Sequence, residues 1–129
     1  MIKRVFLSCL LAYSSITFAA NVDYHKEFDK CTNDKQNIEV LGRNLTGGCA
    51  SLVVDDTKKE MNKIYQKISS KKSEDENWLA KFNTAQKAWI AFREAECDFQ
   101  SMELYSPYEC LMDMNIERVK YFRNLEKDL

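Results

Sequence analysis

Gln86-Lys87-Ala88-Trp89-Ile90-Ala91-Phe92-Arg93-Glu94-Ala95-Glu96-Cys97 decides how this chain folds. Wound as a helix, it sets Gln86, Trp89, Arg93 and Cys97 near one face, at steps of three and four. An arginine on such a face, beside a large aromatic, is partly buried. A buried guanidinium without a partner costs on the order of several kcal/mol. A carboxylate or helix-end carbonyls are therefore expected near Arg93, and Asn62, on an earlier helix, is a candidate partner for Gln86.

Helical spacing extends on both sides. Upstream, Ser73 and Glu76 form a capping box that predicts a helix start. Trp78, Phe82, Ala85, Trp89, Phe92 and Glu96 then follow as a stripe, with the four aromatics expected in the core. This helix is expected to fray near Ser101 to Glu103. Ser106-Pro107-Tyr108-Glu109 predicts the next start, with a capping serine and a proline at the first helical position. Leu111, Met114, Arg118, Tyr121 and Leu125 form its stripe, widened by Met112, Val119 and Phe122. Before both, Val53, Thr57, Met61, Ile64 and Ile68 predict a helix from Cys49 to about Ser69–Lys72. Its lysines, from Lys58 onward, form a solvated face. Tyr24 to Lys30 reads as a short helix with Tyr24 and Phe28 on one side, and Gly42 to Gly48 as loop and turn. No segment alternates with period two. The expected fold is all-α: three main helices, the last two antiparallel, and a looser N-terminal arm.

Lys3 and Arg4, the apolar run Val5 to Phe18 and the small residues Ala19 and Ala20 have the layout of a secretory signal. Cleavage after Ala19 places Thr17 and Ala19 in the peptidase's two small pockets. The run is interrupted by serines and shorter than the roughly 20 apolar residues of a membrane span. The expected organisation is a leader over 1–19 and one domain over 20–129, with no stable span after cleavage. Losing Lys3 and Arg4 takes the formal net charge from −1 to −3. A nucleic-acid binder needs a basic face, and this balance does not supply one.

Cys9 would leave with the leader, and Cys31, Cys49, Cys97 and Cys110 remain. An even number in a small exported chain reads as a disulfide framework, with three possible pairings. Cys31 with Cys49 and Cys97 with Cys110 each close a local loop, and this pairing is expected. No C-x-x-C pair exists and His25 is the one histidine, so neither a metal site nor any other cofactor is expected. Nothing places His25 near a nucleophilic serine. Acidic pairs such as Asp55-Asp56 are expected by chance among 20 acidic residues. The chain is read as a binder and not as an enzyme.

The quoted stretch resembles the LprI-like lysozyme inhibitor family. Its pattern, Q-x-x-W-x-x-[FY]-R-[DE]-x-x-C, is matched in full by Gln86, Trp89, Phe92, Arg93, Glu94 and Cys97. An upstream Leu-Asn-x-x-Tyr element is similar to Met61-Asn62-Lys63-Ile64-Tyr65, with methionine for leucine. The early cysteine pair, Cys110 and Arg118 also match. Family members often carry glycines between Asp98 and Glu109, and this chain has none. The resemblance implies a periplasmic or surface helical domain that inhibits lysozyme. The alternative is an envelope interaction or immunity protein without that activity. For either, the best candidate surface is the segment 98–109. There Asp98, Phe99, Glu103, Tyr105 and Tyr108 combine aromatic anchors with acids and suit a cationic protein partner. Asn62, Tyr65, Gln86, Trp89, Phe92, Arg93 and Arg118 are read as a structural set.

Overall fold

A computed structural model describes residues 21–103 and 106–129. The leader and Tyr105 lie outside the described residues. Five α-helices and one 3-10 turn account for nearly all of them: α1 (Tyr24–Thr32), α2 (Lys35–Leu41), the turn Gly42–Asn44, α3 (Leu45–Lys71), α4 (Glu76–Ser101) and α5 (Tyr108–Asp128). No strand occurs among the described residues. The expected all-α class is correct, with three long helices and an arm that is more regular than its sequence suggests.

Local chemistry sets most boundaries. Asp23 caps α1 by accepting from the Lys26 amide, and Asp34 caps α2 by accepting from Asn37 at 3.0 Å. Gly42, at φ 52°, ends α2 in the left-handed region that glycine tolerates. Three expected boundaries move. Pro107, not Ser106, is the cap of α5, and no side chain bonds that helix start as a cap. Asp75, not Ser73, caps α4, its carboxylate accepting from the Trp78 amide at 3.0 Å. The Ser73 amide is already bonded to Ser70 at the end of α3, so the turn is tighter than a capping box from Ser73 would need. Gly47 and Gly48 also lie within α3, not in a loop. A methyl group on Gly48 would meet Leu41 at 3.2 Å, and one on Gly47 would meet Ser106 at 3.3 Å. Close packing offsets the roughly 1 kcal/mol that each glycine costs a helix.

The long helices run up, down and up. Lys71 and Glu126, at the ends of α3 and α5, form an ion pair at 2.9 Å, so these two helices are parallel. Cys97–Cys110 ties the end of α4 to the start of α5, and α4 returns antiparallel to both. α3 and α5 are the closest pair, while the large side chains of α4 pack across both. α1 lies antiparallel along α3, held at one end by Cys31–Cys49 and at the other by the Tyr24 hydroxyl donating to Glu60. Both disulfides pair as expected.

The α3 stripe, Val53, Thr57, Met61, Ile64 and Ile68, is buried as predicted. On α5 the buried arc centres on Met112, Asn115, Ile116, Val119 and Phe122, and Tyr121 is half exposed. The predicted stripe is therefore off-centre, because α5 must face α3 and α4 together. On α4 the buried residues are Phe82, Gln86, Arg93 and Cys97. Trp78 and Trp89 are partly buried, whereas Phe92 is 58% exposed and Ala85 is exposed. Phe92 is thus not a core residue. The polar face through Gln86 and Arg93 is the one turned inward. Phe82 stacks between Tyr65 and Trp78, with centroids at 5.2 and 5.1 Å, and leans on Phe122 at 5.5 Å.

Candidate partner-binding surface

Gln86 and Arg93 of the distinctive motif are buried and anchor an interior network. The Arg93 guanidinium donates to Asn115 Oδ1 at 2.8 Å and to the Glu94 carboxylate. Asn115 Nδ2 donates to Thr57 Oγ1 at 3.0 Å, and Thr57 donates back to the Val53 carbonyl at 2.8 Å. Arg93 also lies 5.2 Å from the Trp89 ring. Arg118, also 5.0 Å from that ring, donates from Nε to Gln86 Oε1 at 3.0 Å. Burial holds the Arg118 guanidinium below its usual range. Gln86 turns its Nε2 to Met61 Sδ at 3.4 Å. One chain of contacts thus links α3, α4 and α5.

Several expectations are settled here. Arg93 has a carboxylate neighbour, as expected, but Glu94 is largely exposed and the buried partner is Asn115. Asn62 is exposed and does not bond Gln86. Position 62 points away from the bundle, because Met61 and Ile64 take the inward positions of that turn. Tyr65 donates to Asn83 Oδ1 and packs on Phe82. Sequence reading missed Asn115. A signal existed, since an asparagine between Met112, Ile116 and Val119 breaks an otherwise apolar stripe.

The described candidates for partner binding gather where α4 ends and α5 begins. Asp98, Phe99, Met102 and Glu103 are exposed, with Phe99 at 65% and Met102 at 81%. Tyr108 opens α5 and is 42% exposed. The Cys97–Cys110 bridge, with Cα atoms 5.5 Å apart, holds the two helix ends together beneath them. A rigid base lowers the ordering entropy lost on binding. Beside this corner a groove of about 580 Å³ runs between the start of α3 and the start of α5, lined by Arg43, Ser51, Ser106, Tyr108 and Glu109.

A second groove, of about 510 Å³, lies between α1, α3 and α5. At its wall Arg123 donates to both Glu60 oxygens at 2.8 Å, and Tyr24 donates to the same carboxylate. Burial alone would raise the Glu60 pKa. The Arg123 and Tyr24 hydrogen bonds and the Arg123 and Lys63 charges outweigh it, and the carboxyl lies below its usual range. A lowered folded pKa contributes stability above the unfolded value of about 4.3, lost as pH falls through the folded one. Glu60→Gln is therefore expected to destabilise the protein at pH 7 but much less at pH 3. Thermal melts at the two pH values measure this. An equal loss at both would show that Glu60 is not held ionised by its neighbours.

Among the described residues, no cluster of three or more histidine, cysteine or acidic side chains is placed to hold a metal ion. No described helix is long and apolar enough to cross a membrane. The model of the family described as "Lysozyme inhibitor LprI" matches residues 31–122. No curated protein and no solved structure matches the chain.

Proposed function

The chain belongs to the lysozyme inhibitor LprI family, and on that premise we propose that it is an exported periplasmic protein that binds a lysozyme and blocks its access to peptidoglycan. Residues 1–19 are the leader removed on export, and 20–129 are the working domain. The two disulfides support this compartment, since such bridges persist in oxidising spaces. The mechanism is occlusion by the protein surface, without chemistry or a cofactor.

The observation that carries the proposed surface is the cross-linked corner itself. Exposed Phe99, Met102 and Tyr108 stand among Asp98 and Glu103 over a disulfide. Aromatic and thioether side chains supply buried contact area, and the acids steer a cationic partner toward them. Tyr105 belongs to the same proposed surface by its place in the sequence.

The test is titration of the oxidised mature protein against a chicken-type lysozyme, following muramidase activity. Inhibition is expected in the micromolar range or tighter, about −8 kcal/mol. Tyr108→Ala is expected to raise the inhibitory concentration by about 30-fold, the effect of losing about 2 kcal/mol at an interface anchor. Its melting temperature should barely change. No inhibition by the native chain, with another envelope protein recovered on it, would favour the interaction or immunity reading. Full inhibition by Tyr108→Ala would move the binding surface elsewhere.

A further inference from the structure

The outward face of α4 carries Ala85, Ala88, Phe92, Ala95 and Phe99, continued by the C-cap Met102, all exposed. They recur at steps of three, four, three, four and three. That is the a and d spacing of a helix built to pair with another helix. The face is distinct from the buried one, which runs through Phe82, Gln86, Arg93 and Cys97. Single exposed apolar residues are ordinary, but a continuous stripe about 26 Å long is the mark of a contact surface. The Cys97–Cys110 bridge anchors its C-terminal end.

We propose that this stripe pairs with the same stripe of a second copy of the chain, antiparallel and across a two-fold axis. The order of side-chain sizes carries the choice of partner. With the axis midway between Phe92 and Ala95, Ala85 faces Met102, Ala88 faces Phe99 and Phe92 faces Ala95. Every layer then sets a small residue against a large one, which is how helix surfaces interdigitate without voids. A parallel pair would stack Phe92 on Phe92 and leave the alanine layers open. Charge agrees. Lys87 lies along the N-terminal half of the stripe, with Lys81 one turn before it, and Glu94, Asp98 and Glu103 lie along or just past the C-terminal half. Antiparallel pairing brings opposite signs together, and parallel pairing brings like signs together. A two-fold axis makes the arrangement close on itself, so the product is a dimer and not a filament.

Phe99 and Met102 belong both to this stripe and to the corner proposed for lysozyme. Self-pairing and lysozyme binding therefore exclude one another, although the dimer does not depend on the lysozyme reading. Sedimentation of the oxidised mature protein over a range of concentrations tests it. The native chain is expected to shift from one to two chains per particle as concentration rises. Phe92→Lys puts a charge in the seam, and Ala88→Phe overfills the layer shared with Phe99. Each should weaken association about ten-fold or more. Both positions are exposed in the single chain, so each variant should keep its melting temperature.

Phe92 lies outside the corner, so Phe92→Lys should still inhibit lysozyme fully. A native chain that stays single at every concentration overturns the proposal, as does association that survives both substitutions. Association through the stripe without any lysozyme inhibition leaves the dimer standing and removes only the inhibitor function.

Discussion

Arg93→Ala is expected to lower stability by about 3 kcal/mol, close to a 10 °C fall in melting temperature for a domain of this size. Two losses add. The first is an orphaned acceptor: Asn115 Oδ1, fully buried, loses its donor at 2.8 Å, which costs about 1–3 kcal/mol. The second is space. Arg93 is 5% exposed and lies against Trp89, so truncation leaves a gap among α3, α4 and α5. Glu94 is 59% exposed and is rehydrated without strain. The same reasoning predicts coupling. Asn115→Ala alone should also be costly, since it strands a buried guanidinium. The double variant should cost less than the two single losses together, by about 1–3 kcal/mol. Replacing both by apolar residues of similar volume should recover much of the loss. Denaturant melts of the four proteins measure all of this. An unchanged melting point for Arg93→Ala would show that its side chain is solvated.

The second large effect concerns the disulfides. The two bridges span 18 and 13 residues. In the chain-entropy model each contributes about 3 kcal/mol, and the length difference changes this by only about 0.3 kcal/mol. What each bridge ties together decides the outcome. Cys97–Cys110 joins two of the three long helices. Replacing both its cysteines by serine should lower the global midpoint by that full amount and loosen the proposed binding corner. Cys31–Cys49 joins α1 to α3, and α1 adds Tyr24 and Phe28 to the core. Its removal should free α1 and α2 to open locally while the long helices stay folded. Hydrogen exchange separates the cases: fast exchange confined to residues 24–41 is expected in the second variant and not in the first. Fast exchange throughout the second variant would show that the arm and the bundle fold as one unit.

These two cases also show where sequence reading succeeds. Cysteine order and number pointed to the correct pairing because each partner lay within one loop. The α3 stripe was legible because its buried and solvated faces differ sharply, with lysines on one side. α4 was harder. It carries two candidate faces, a mixed one through Phe82, Gln86, Arg93 and Cys97 and an apolar one from Ala85 to Phe99, and spacing alone cannot say which one turns inward. The aromatic character of Phe92 predicts a core residue, and it lies outside. Asn115 interrupts an apolar stripe in the sequence, but nothing there names its partner, because Arg93 is on another helix, 22 residues away.

The order of residues alone determined the helical class, the approximate extent of the long helices, the cross-links and the family motif. Each of these depends on steps of a few residues or on short loops, and those are written directly in the chain. The inward face of α4, the Arg93–Asn115–Thr57 chain and the exposure of Phe92 and Asn62 were decided by tertiary structure. A helix with two faces that could be buried takes its orientation from the groove it enters. That groove exists only once α3 and α5 have come together.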